Sequence, residues 1–252
     1  MSKFKYLKIS KNKKIRYLLN PTYGDIYVLF LHGFKSDLDG DKPKTIFKFC
    51  KKNKIGFLAL EYSGHGKSYG KFNDGSITSW TNDTKKIIRK KINNKKLIVV
   101  GSSMGGWIAL NILKVFKKNI LAFVGIAPAP EFLDRLMWNK FTNKVKKQLI
   151  KDKFHKFNHG GYEYNISYNL IKDGRKNKIF NKNFNNKILI TILHGQKDDV
   201  VPISISRKIL KIFTKAKKKL IIIKRGDHSL SNKINLKRII NEINFIYKKL
   251  RP

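Results

Sequence analysis

Three side chains in this sequence have the types and the order needed to attack a carbonyl carbon. Ser103 is the middle residue of Gly101-Ser102-Ser103-Met104-Gly105, set between the apolar run Leu97–Val100 and a second apolar segment that begins at Trp107. The first run reads as a buried strand. The second, with Ile108, Leu110, Ile112, Leu113 and Phe116, reads as a helix. A serine in so short and glycine-rich a turn holds its hydroxyl above the strand end, at a helix N-terminus where positive partial charge collects. Ser102 takes the filler position of the pattern. A hydroxyl needs a base, and the base needs a group to orient it. Downstream, Ile188–His194 reads as a strand that runs into HGQKDDVVP, with Asp198 just past its end. Asp199 is the fallback acid, and Asp134 is a more distant alternative. Leu220–Lys224 reads as a further strand, followed by a loop with His228 and then the last helix. The order is nucleophile, acid, base.

A fourth part would bind the negative oxygen formed on attack. The strand Ile26–Leu31 runs into His32-Gly33-Phe34. The backbone N–H of Phe34, paired with that of Met104, supplies the two donors. Gly33 keeps a side chain from crowding the acyl oxygen. His32 is expected to brace this loop by hydrogen bonding. His65, His155 and His159 read as turn or surface residues, and His194 as a structural strand end.

The elements that must position these groups follow from hydrophobic periodicity. Further strands are expected at Phe4–Ile9, Lys14–Leu19, Ile55–Glu61 and Leu121–Ile126. Helices are expected at Lys42–Lys52, Ile77–Asn93, Met104–Phe116, Ile203–Phe213 and Asn232–Leu250. The first two strands have no helix between them and suggest an antiparallel hairpin. From Ile26 onward strands and helices alternate, which implies an α/β fold with a mostly parallel central sheet. The whole chain, 1–252, reads as one domain. Residues 127–186 break the pattern and read as a small lid inserted over the carboxyl edge of the sheet. Within them Glu131–Lys151 has helical spacing, and a polar stretch with Gly160-Gly161 follows. Phe132, Leu133, Leu136, Met137, Trp138 and Phe141 offer an apolar wall for an acyl chain, with Trp138 and Met137 the substrate-binding candidates.

Composition narrows the function classes. The chain has 252 residues, 41% of them hydrophobic, enough for a sizeable core. Its formal net charge is +40. Nearly all of that is lysine spread along the whole sequence, beside abundant asparagine and isoleucine, so the charge reads as a compositional bias. No nucleic-acid motif accompanies it, and no specific nucleic-acid partner is expected. No run of about 18 apolar residues is present, so no integral membrane association is expected. A single cysteine, Cys50, excludes an internal disulfide and a multi-thiolate metal site and fits the cytoplasm.

The segments VLFLHGFKSDLDG, LEYSGHGKSYGKFNDGSITSW, VVGSSMGGWIAL, VGIAPAPEFL and HGQKDDVVP together resemble the α/β-hydrolase superfamily. Within it they are similar to the branch containing the mammalian mitochondrial acyl-protein (palmitoyl) thioesterase, which also cleaves acyl glucuronides, and related bacterial carboxylesterases. The resemblance runs from about Ile26 to the C-terminus. It implies a serine hydrolase of esters or thioesters with Ser103, Asp198 and His228 as triad and Phe34 and Met104 at the oxyanion. It implies a small-molecule or acyl-protein substrate and no metal or organic cofactor. Acyl transfer to an acceptor other than water shares the same acyl-enzyme. A non-catalytic member of the fold that binds anionic partners is the reading from another class.

Overall fold

A computed structural model describes residues 4–159 and 162–251. Its strands, in chain order, are β1 (Lys5–Ser10), β2 (Lys13–Asn20), β3 (Ile26–Leu31), β4 (Gly56–Leu60), β5 (Lys96–Ser102), β6 (Ile120–Ile126), β7 (Phe154–His159), β8 (Tyr162–Ser167), β9 (Leu189–Gly195) and β10 (Lys217–Ile223). Its α-helices are α1 (Asp41–Lys52), α2 (Ile77–Lys91), α3 (Met104–Leu113), α4 (Asn143–Asp152), α5 (Tyr168–Lys176), α6 (Ile203–Lys211) and α7 (Lys233–Leu250). Eight strands form one sheet in the order β1-β2-β4-β3-β5-β6-β9-β10. β2 runs antiparallel to both β1 and β4, and the remaining pairs are parallel. This is the expected α/β architecture.

The central strands are apolar throughout because both faces of the sheet are covered. In β5, Leu97 and Val99 join the cluster beneath α2, α3 and α6, while Ile98 and Val100 face α1 and α7. β3 divides the same way, with Leu29 and Leu31 on one side and Val28 and Phe30 on the other. α3 is buried on nearly every side, as a helix wedged between sheet and neighbours must be.

Parallel register brings the functional loops to one edge. Leu31 lies opposite Gly101, Ser102 opposite Ile126, Ile126 opposite Leu193, and Ile223 opposite Gly195. The loops after β3, β5, β9 and β10 therefore leave from the same carboxyl-terminal edge, the usual place for a site in such sheets.

Within residues 127–186 the helical spacing over Glu131–Lys151 is realised in pieces. Glu131 has φ of 60°, and a π-helical turn at Leu133–Met137 and a 3-10 turn at Trp138–Lys140 follow it. Phe141 is extended, and α4 starts only after the Thr142 cap, whose side chain accepts from the Val145 N–H. The polar stretch beyond folds as the antiparallel hairpin β7–β8 and then α5. Gly160 and Gly161 lie outside the described residues. No helix among the described residues is long and apolar enough to cross a membrane.

Candidate active site

Ser103 occupies a strained turn between β5 and α3. Its φ is 51° and its ψ −118°, a region that side-chain-bearing residues rarely enter and that costs energy to hold. Two glycines allow it. A Cβ on Gly101 would stand 2.7 Å from the Gly105 carbonyl oxygen, and a Cβ on Gly105 would overlap the Leu31 carbonyl. The turn is fixed on both sides: Ser103 N–H donates to Ile126 O at 2.9 Å, and Ser103 O accepts from Gly106 and Ala129 N–H.

His228 and Asp198 meet this serine. His228 Nε2 lies 3.1 Å from Ser103 Oγ, and His228 Nδ1 lies 2.8 Å from Asp198 Oδ2. The carboxylate only accepts, so Nδ1 carries the ring hydrogen and Nε2 presents its lone pair to the serine hydroxyl. The Asp198 side chain is 1% exposed and that of His228 is 22% exposed, so the carboxylate is hidden and the imidazole is reached from outside. Asp198 Oδ1 accepts from the N–H groups of Val200 and Val201. Burial alone would raise its pKa. Hydrogen bonds from His194 and His228, the His228 charge and the Val201 N–H outweigh burial and hold the carboxyl well below the usual carboxylate range.

The alternatives fall elsewhere. Asp199 is exposed. Asp134 pairs with Arg175 at 2.9 Å and sits near Lys178. Ser102 is buried at the end of β5. His194 has more to do than end a strand. Fully buried, it directs Nε2 toward both Val201 O at 2.8 Å and Asp198 Oδ2 at 3.2 Å, and Nδ1 toward Ser206 Oγ. The carbonyl only accepts, so Nε2–H is the donor, and Asp198 Oδ2 faces two imidazoles. A histidine four residues before the acid was the signal available in the sequence.

The loop after β3 lies against the serine. A Cβ on Gly33 would come 3.4 Å from Ser103 Cβ, which sets the next residue, Phe34, beside the turn that opens into Met104. The Phe34 ring packs edge-on against Phe72, Trp80 and Phe132. His32 Nδ1 bonds Gly33 O at 2.8 Å and braces the loop. His65, expected in a turn or on the surface, is 3% exposed. Positive φ at Gly64 and Gly66 folds its segment back, so the ring enters a cluster with His32, Tyr62, Phe72 and Trp80. Burial takes His65 down to about 4 and His32 well below its usual value, so both rings are neutral near pH 7. His155 is half-buried with its ring against Phe141.

Met137 is buried in the main core cluster along with Phe132 and Leu133. Trp138 is half-buried, its ring 5.8 Å from that of Tyr168 and 4.6 Å beneath the Arg175 guanidinium.

Residues 25–159, more than half of the chain, match the family Serine aminopeptidase, S33. The chain belongs to this family. The hydrolase is also similar to human "Palmitoyl-protein thioesterase ABHD10, mitochondrial", at 27% identity over 88% of this chain and 73% of the relative. The crystal structure of an Agrobacterium vitis S4 protein, 26% identical, superposes with a TM-score of 0.90 over 98% of each chain. The mouse α/β-hydrolase domain-containing protein 10, 24% identical, superposes at 0.89 over 99% of this chain and all of its own. The fold is that of an α/β-hydrolase, and the chain is a hydrolase that resembles the thioesterase branch.

Proposed function

We propose that this hydrolase cleaves carboxylic esters or thioesters through a Ser103–His228–Asp198 triad and an acyl-enzyme. The observation that carries the reading is the unbroken relay from Ser103 Oγ to His228 to Asp198, at 3.1 and 2.8 Å. Ser103 Oγ bonds to the acyl carbon while its proton passes to His228 Nε2. The N–H groups of Phe34 and Met104 hold the oxyanion. Asp198 fixes the imidazole tautomer and stabilises its cation. When the bond to the leaving oxygen or sulfur breaks, His228 returns the proton to that atom. Water then attacks the acyl-enzyme, losing a proton to His228, and the acid leaves as Ser103 regains its hydrogen. No step needs a cofactor. The thioesterase names of the relatives support a small-molecule or acyl-protein substrate. The single cysteine, Cys50, is buried and free, which supports a reducing compartment, the cytoplasm.

Residues 127–186 serve as the lid. They begin beside the nucleophile, where Ala129 N–H donates to Ser103 O, and Phe132 packs 5.2 Å from Phe34. Trp107 Nε1–H holds their far end by donating to Asn177 O. In this reading Met137 and Trp138 belong to the acyl-chain wall. Trp138→Ala is expected to shift the preferred acyl length, changing the long-to-short ratio of kcat/KM by roughly 10-fold. A p-nitrophenyl ester series checks this, and an unchanged chain-length profile removes Trp138 from the wall. The reaction class is tested by hydrolysis of p-nitrophenyl esters and acyl thioesters by wild type and Ser103→Ala in parallel. Serine-dependent turnover is expected. Turnover that survives the substitution overturns the reading.

A further inference from the structure

The loop that carries His228 is unusual in how it is held. It opens and closes on residues of positive φ, Arg225 at 59° and Leu230 at 48°. Such a loop keeps its shape only where its surroundings impose it. Its first half is fixed by the turn after β9: Lys197 N–H donates to Gly226 O at 2.8 Å, and Gly195 lets Gly226 and Asp227 pass in direct contact. Inside the loop, Asp227 accepts from Leu230 N–H and from the Ser229 hydroxyl. Beyond the His228 ring and its bonds to Asp198 and Ser103, the second half is tied to α1 by a lysine. Lys42 Nζ, in the first turn of α1, donates to Ser229 O at 2.5 Å and to Ser231 Oγ at 2.8 Å.

Lys42 is well placed to act as a strut, because its own end is anchored. Residues 32–40 connect β3 to α1, and they carry Phe34 near their start. Leu38 N–H donates to Glu61 Oε1 at 3.2 Å. Arg16 bonds both Asp39 carboxylate oxygens, at 2.9 and 3.2 Å, and reaches the fully buried Glu61 at 2.8 Å. Burial pulls the Lys42 ammonium down to about 8, against the attraction of Asp227 and Asp41. A partly dehydrated ammonium binds its two oxygens more strongly than one in open water does.

We propose that Lys42 is a positioning residue of the hydrolytic reaction: it clamps the Ser229 carbonyl, one residue from His228, to the segment that bears the Phe34 oxyanion donor. The base and the oxyanion loop are thereby set against each other through one side chain, 187 residues from the loop it holds. This rests on the triad reading above. Lys42 touches no reacting atom, so its loss changes where His228 sits and leaves substrate binding alone.

The test is steady-state hydrolysis of a short p-nitrophenyl ester by Lys42→Met and Lys42→Gln, with Lys42→Arg as the conservative variant. Met keeps the apolar stem without the donor, and Gln keeps polarity without the reach. In whichever of the two melts near wild type, kcat is expected to fall about 10- to 100-fold, the scale of an ångström-size misplacement, with KM unchanged. Lys42→Arg is expected to recover most of the loss. Amide exchange across residues 226–231 is expected to quicken in the Met and Gln variants alone. A folded variant with kcat within about twofold of wild type, or a loss carried by KM, overturns the proposal. Failure of the triad reading is distinct, since it appears in the wild-type background as turnover that survives Ser103→Ala.

Discussion

Ser103→Ala is expected to lower kcat for ester hydrolysis by about 10⁶ while the melting temperature stays within a few degrees of wild type. The magnitude follows from the way triads act as a unit: without the nucleophile the base and acid have nothing to activate, and serine proteases lose activity on this scale. The stability expectation comes from the turn. Its shape is imposed by Gly101, Gly105 and the backbone bonds from Ser103 N–H to Ile126 and from Gly106 and Ala129 to Ser103 O, none of which involves the hydroxyl. Kinetics on matched ester and thioester substrates, beside a thermal melt, check both halves. A variant within tenfold of wild type contradicts the assignment of the nucleophile.

Asp198→Asn is expected to cost about 10⁴ in kcat. An amide at this position no longer accepts on both oxygens, so His228 loses the partner that keeps its hydrogen on Nδ1 and its lone pair on Nε2. The change also has a pH signature. The native carboxyl is held below its ordinary value, so it stabilises the fold at every pH above the unfolded value near 4. That contribution disappears as pH falls through the lower native value. Wild type therefore loses melting temperature steeply in acid, and Asp198→Asn, with nothing to protonate there, descends less steeply. Thermal melts from pH 7 to 3 measure the difference. Parallel acid limbs for the two proteins would falsify the claim that the Asp198 ion is part of what stabilises the site.

How much of this could be read from the sequence depended on burial. All eight strands of the large sheet were legible, the central ones because strands covered on both faces need continuous apolar runs such as Leu97–Val100 and Ile26–Leu31. Ser103, Asp198 and His228, which the structure brings into contact, stood out because strand ends, glycines and chemistry coincide there. The hairpin of β7 and β8 was not. FHKFNH has no period of two and sits among lysines and asparagines, and the alternation in YEYNIS spans only six residues. The helical spacing across Glu131–Lys151 was real, yet the positive φ of Glu131 and the extended Phe141 break it into two short turns and the separate helix α4. Glu131 is held there by accepting from the N–H groups of Ile179 and Phe180, contacts nearly fifty residues away that no local pattern announces. His65 does sit in the turn its glycine neighbours mark, and only the fold shows that this turn points inward. Lys42 was invisible as one lysine in a lysine-rich chain, since its role lies in a contact with residues at the other end of the sequence.

The central claim is that Ser103 is the activated nucleophile of this hydrolase. Its most direct test is to treat the folded wild-type protein with a fluorophosphonate and map the adduct by peptide mass spectrometry, with His228→Asn alongside. One adduct is predicted, on Ser103, forming far more slowly in His228→Asn because no base then takes the proton. An adduct on Ser102, or none in protein that remains folded, would contradict the account.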